Sequence, residues 1–206
     1  GPKTEAILTQ LGIHGLDKYE YYSAKVNTFN DKEIICARTG YTGEDGFEVF
    51  ADHETIKNIW ESLIELGVTP CGLASRDVLR TEVGFPLYGQ DIHDDVTPLD
   101  SALKWTVKAK KESFIGKSAL DGATSTKRLV KLSLDKGIPR EGYNILNMDD
   151  EVIGIVTSGT MSPSTKKAIG LGYVTVEYSK VDSEIYIQVR KKSIKAKVVK
   201  APFYKA

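Results

Sequence analysis

The eleven residues from Arg38 to Glu48 read Arg-Thr-Gly-Tyr-Thr-Gly-Glu-Asp-Gly-Phe-Glu and hold one arginine, one tyrosine, three carboxylates and three glycines. Two readings fit that composition. Glycine and aspartate dominate ordinary turns, so the run can be a long hairpin loop whose acids are solvated. Alternatively, Gly40, Gly43 and Gly46 let the backbone take positive φ or approach a ligand closely. A second group follows at Arg76 and Arg80, which share a face when they lie on a helix, a like-charge pair that calls for a carboxylate. Asp77, Glu82, an acid of the glycine run or a ligand could supply it. Cys36 and Cys71 are the only cysteines, and His14, His53 and His93 lack metal-ligand spacing. No metal site is expected from them, and both thiols are expected to be buried and inert.

The elements that must position these groups are α+β. Lys3–Leu11 reads as a short helix closed by Gly12, and Tyr21–Phe29 alternates as a strand. Lys32–Ala37 and Phe47–Phe50 are rich in β-branched and aromatic residues and form the two arms of a hairpin around the glycine run. Over His53–Leu66 the residues Ile56, Ile59, Trp60, Leu63, Ile64 and Leu66 make an apolar helical stripe, which places Trp60 in the core. Leu73–Val83 is a second helix, stopped by Gly84 and Pro86. Ala102–Val107 reads as a strand and Ile115–Leu120 as a short helix. A small, polar stretch at 121–127 is a linker. Beyond it, Leu129–Leu134, Glu151–Thr157, Ile169–Val174, Ile185–Val189 and Ile194–Val199 have the cadence of an all-β sandwich or small barrel. The expected fold is therefore an antiparallel sheet with flanking helices over residues 1–120, then a small all-β barrel-like domain over 128–206.

The 206 residues contain 28 Lys+Arg and 28 Asp+Glu, so no net field draws the chain to nucleic acid or to an anionic membrane. The basic stretch Arg190–Lys197 lies in an alternating strand pattern and reads as a solvated face or hairpin turn. No apolar run approaches membrane length and no secretory h-region is present. An intracellular protein is expected, cytoplasmic or, in a eukaryote, in the mitochondrial matrix.

Three longer patterns carry a resemblance. Pro70-Cys71-Gly72-Leu73-Ala74-Ser75-Arg76-Asp77 continuing to Leu87-Tyr88-Gly89-Gln90-Asp91, then Phe114-Ile115-Gly116-Lys117, then Thr157-Ser158-Gly159-Thr160-Met161-Ser162-Pro163, follow the glycine run in the order seen in the aminomethyltransferase family. The chain resembles that family, which includes the T-protein of the glycine cleavage system, over nearly its whole length. The resemblance implies tetrahydrofolate as cofactor and a lipoylated H-protein as partner. The family reaction moves the methylene carbon of an aminomethyl group from the H-protein's lipoyl arm to tetrahydrofolate, with release of ammonia.

Folate presents a flat pterin with a donor edge, an aromatic spacer and an anionic tail. Carboxylates match the donor edge, tyrosine stacks or donates, and arginine suits carbonyl or carboxylate groups. By resemblance Arg76 contacts the folate. Glu48 is the expected pterin-edge residue, Tyr41 an aromatic neighbour and Glu44 the alternative acid, while Asp45 shapes the turn. Tyr88 and Tyr204 are further candidate pocket residues. The family assigns its central acid to an aspartate in an amino-terminal region. That region is expected to lie outside this chain, which therefore carries no catalytic residue and is expected to be inactive alone. A second class remains open: a folate-binding module without transfer chemistry, as in relatives attached to flavin dehydrogenases or serving iron-sulfur or tRNA metabolism.

Overall fold

Residues 1–205 are described by the structure, a computed structural model, and they form two units, Gly1–Leu79 and Arg80–Lys205. The first begins with helix α1 (Thr4–Gln10), shorter than the stretch expected to be helical. Strands β1 (Ala24–Phe29), β2 (Lys32–Ala37) and β3 (Glu48–Phe50) form an antiparallel sheet in that order. The β1–β2 turn is made by Asn30 and Asp31, both at positive φ (47° and 62°), the tight-turn geometry whose twist matches the flanking strands. Alternation along β2 buries Ile34 and Cys36, which pack with Leu8, Ile13, Leu16, Tyr19, Phe29 and Ile59. Burial pushes the Cys36 thiol up from its ordinary value, which suits an inert core residue.

The other face of this sheet is less covered. Val26, Ile35 and Phe50 stand directly across from one another and are all exposed, and the next row is Ala24, Ala37 and Glu48.

Helix α2 (His53–Glu65) starts at Asp52, whose carboxylate accepts from the backbone N–H groups of Glu54 and Thr55, each at 3.0 Å. Its core contact is Ile59, with Ile56 and Leu63 beside it. Trp60 is not core: it is 56% exposed. Adjacent helical residues are separated by about 100° around the axis, so directing Ile59 inward leaves Trp60 on the flank of the stripe. Cys71 also departs from expectation. It is exposed, in the irregular segment before helix α3 (Leu73–Val83).

The second unit starts within α3. Lys104–Thr106, expected as part of a strand, forms a 3-10 turn. The local bonds explain this: Thr106 N and Oγ1 both donate to Leu103 O, at 2.9 and 2.8 Å, and leave no ladder to extend. Helix α4 (Lys117–Leu120) follows. Strands β4 (Lys127–Leu134), β5 (Asn144–Leu146), β6 (Val152–Met161), β7 (Ala168–Thr175), β8 (Glu184–Val189) and β9 (Lys192–Val199) close a barrel in the order β4-β7-β6-β5-β8-β9. Its interior is filled by Val130, Leu132, Leu134, Ile145, Val156, Ile185, Ile187 and Val198. The basic stretch is the β8–β9 hairpin, with Arg190 at positive φ in its turn.

Strand β6 carries a bulge at Thr157, where the pairing with β7 shifts between Val156 and Ser158. On a regular strand consecutive side chains point to opposite faces. The bulge lets both Thr157 and Ser158 donate to the buried Asp91 carboxylate.

Candidate functional site

The glycine run joins β2 to β3, and its ends are fixed by an ion pair. Arg38 Nε and Nη2 donate to the two Asp45 carboxylate oxygens at 2.9 and 2.8 Å, while Nη1 donates to Tyr19 O at 3.0 Å. This bidentate clasp gives Asp45 the turn-shaping position expected for it. The Arg38 hydrogen bonds hold the Asp45 carboxyl below its usual range, against a smaller opposing effect of burial. A carboxylate depressed in the folded state adds stability above its unfolded value of about 3.9, and that stability is lost as pH falls through the lower folded value. Urea titrations of Asp45→Asn are therefore expected to show a shallower loss of stability below about pH 4 than the parent chain. Parallel acid limbs would show that the clasp has no such role.

Four of the six candidate residues, Tyr41, Glu44, Glu48 and Arg76, line one cavity of about 210 Å³ together with Thr39 and Gly40. The Arg76 guanidinium carbon lies 4.8 Å from the centroid of the Tyr41 ring, a cation–π arrangement that orients the arginine without neutralising it. Among the described residues Arg76 has no ion-pair partner. Glu48 is exposed, and Thr39 Oγ1 donates to its Oε2. The register accounts for that contact: Glu48 pairs with Ala37, and Thr39 is two residues further along the same face, hence a diagonal neighbour. Thr39 was not singled out from the sequence, although it stands inside the run. The cavity thus joins an acceptor edge to a stacked cation, which suits a flat ligand with N–H donors on one side and a carbonyl or carboxylate group on the other.

Two concavities of about 400 Å³ or more lack this combination. One, of about 410 Å³, is lined by Ile7, Phe47, Ile56, Ile59, Trp60 and other mainly apolar side chains of the first unit. The other, of about 500 Å³, lies on the barrel between Lys136, Lys167, Lys195 and Lys197. Among the described residues no group of three or more His, Cys, Asp and Glu side chains could hold a metal ion. No described helix is long and apolar enough to cross a membrane.

Tyr88 and Tyr204 belong to the second unit. The exposed Tyr88 hydroxyl donates to Asp94 at 3.1 Å, and the Tyr204 backbone N–H donates to Glu82 O at 3.1 Å. In the same unit Arg80 pairs with Asp91 at 2.6 Å, an acid that was not among the partners offered from the sequence. It also donates to Gln90 Oε1 at 3.0 Å and Ser158 Oγ at 2.9 Å. Glu82 is instead bound by Ser162 Oγ, Ser164 N and Ser164 Oγ.

A family model described as the GCVT N-terminal domain matches residues 1–111, and one described as the glycine cleavage T-protein C-terminal barrel domain matches 127–205. All of this chain aligns with an aminomethyltransferase of Geobacillus sp. (strain WCH70) at 41% identity, covering 59% of that protein. It likewise aligns at 42% with that of Flavobacterium psychrophilum, covering 59%. The crystal structure of glycine cleavage system aminomethyltransferase T from Bartonella henselae superposes with a TM-score of 0.88 at 32% identity, over 97% of this chain and 56% of that one. The chain thus spans little more than half the length of these relatives, and it belongs to the glycine cleavage T-protein family of aminomethyltransferases.

Proposed function

We propose that the cavity of Tyr41, Glu44, Glu48 and Arg76 binds tetrahydrofolate. The whole protein would then transfer the methylene carbon of an aminomethyl-lipoyl H-protein to that folate, with release of ammonia. The observation that carries the reading is the meeting of Glu48 and the Tyr41-stacked Arg76 in one cavity. Glu48 supplies acceptors for the pterin N–H edge, Tyr41 and Arg76 supply a polarised platform, and the Arg38–Asp45 clasp keeps the loop in place. The work of these residues is positioning: they hold the folate so that N5 meets the incoming carbon. They bind and orient, and the acid–base step belongs to other residues of the whole protein. Relatives named as aminomethyltransferases support this reading over a folate-binding module without transfer chemistry.

Calorimetric titration of tetrahydrofolate into the chain tests it. Glu48→Ala is expected to weaken binding tenfold or more, because a hydrogen bond to a charged group contributes about 1.5–3 kcal/mol. Equal affinities in the two proteins would remove Glu48 from the site.

A further inference from the structure

We propose that Thr39 is a positioning residue that makes this site selective for a pterin carrying a 2-amino group, an inference that rests on the folate reading above. Glu48 is an exposed carboxylate on a three-stranded sheet, and an exposed carboxylate ordinarily rotates among several orientations. Here Thr39 Oγ1 donates to Oε2 and restricts the rotation of the group. Among the described residues the Glu48 carboxylate receives no other hydrogen bond. Each carboxylate oxygen has two acceptor positions, so one Thr39 bond leaves Oε1 free and Oε2 half free. With Oε1 and one position on Oε2 open, the carboxylate keeps an acceptor on each oxygen for a ring N–H and its adjacent exocyclic amine.

Neighbouring contacts keep the hydroxyl in place. Ala37 lies opposite Glu48 and is too small to compete for the space. Thr39 itself directly follows Arg38, whose guanidinium is held on three of its nitrogens by Asp45 and Tyr19 O. The hydroxyl thus stands on a fixed backbone. The β-branch of threonine, stiff at χ1, limits its rotation further.

The test uses the chain with two probes, tetrahydrofolate and its counterpart bearing a methyl group in place of the 2-amino group. Calorimetry is expected to show tetrahydrofolate bound at least tenfold tighter by the parent chain. Thr39→Val is expected to weaken tetrahydrofolate about tenfold while moving the methyl counterpart less than twofold, and Thr39→Ser to restore the parent preference. Equal weakening of both probes in Thr39→Val would show a merely structural role and overturn the proposal, as would unchanged binding of tetrahydrofolate. Failure of the parent chain to bind either probe would overturn the folate reading itself, an outcome distinct from a preference that ignores Thr39.

Discussion

Replacing Arg80 with alanine is expected to destabilise the Arg80–Lys205 unit by about 3–5 kcal/mol, the cost typical of leaving one member of a buried ion pair without its partner. Arg80 and Asp91 are 1% and 0% exposed, so water cannot take over either charge. The Asp91 carboxylate would keep its bonds from Leu87 N, Thr157 and Ser158 but lose the only cation within salt-bridge distance of it among the described residues. Gln90, Ser158 and the carbonyl of Phe85, which receives Arg80 Nη1 at 3.2 Å, would each lose a donor. Arg80→Lys keeps the charge but not the planar fork, and is expected to fall between the alanine variant and the parent. Urea unfolding checks both, and a loss below about 1 kcal/mol for Arg80→Ala would show that the network is not what anchors this loop to β6.

Gly154→Ala is expected to cost about 3 kcal/mol or more. A Cβ built there would lie 1.9 Å from Tyr173 O and 2.9 Å from Tyr173 C, so β6 and β7 could not keep their separation. Gly159 is similarly placed, with Pro139 O at 2.0 Å from its ideal Cβ. These are backbone atoms, which cannot swing aside as a side-chain end could, and overpacking of this kind routinely costs 1–3 kcal/mol even where side chains relax. Gly72 is the control: nothing lies within 4 Å of its ideal Cβ, so Gly72→Ala is expected to change stability by no more than about 0.5 kcal/mol. Melting temperatures of the three alanine variants measured side by side would decide the matter, and similar values for all three would refute the close-approach argument.

What could be read from the sequence was set by short-range physics. The β2–β3 hairpin, α2, α3 and most barrel strands follow from alternation, helical stripes and terminators, and the structure has them. Three-residue β5 was missed because so short a strand carries no period, and Ala102–Val107 was misread because β-branched composition does not reveal a local turn bond. Trp60 shows that an apolar stripe has flanks. In the candidate site, Tyr41, Glu44, Glu48 and Arg76 were legible from residue type and resemblance, and the cavity contains them all. The contact between Thr39 and Glu48 was not, since it depends on which residue of β2 faces Glu48. Likewise the Arg80–Asp91 pair relies on a bulge at Thr157 that no local pattern announces.

The bare row of Val26, Ile35 and Phe50 has a practical side. Among the described residues three strands make up its sheet, so β1 and β3 are its edges, each able to accept another strand. The chain's formal charge is zero and its isoelectric point is about 7.0, so near neutrality little long-range repulsion keeps two such faces apart. The sheet that carries Glu48 is thus also the surface on which concentrated protein would begin to clump, and a buffer well away from neutrality is the gentlest means of keeping it dispersed.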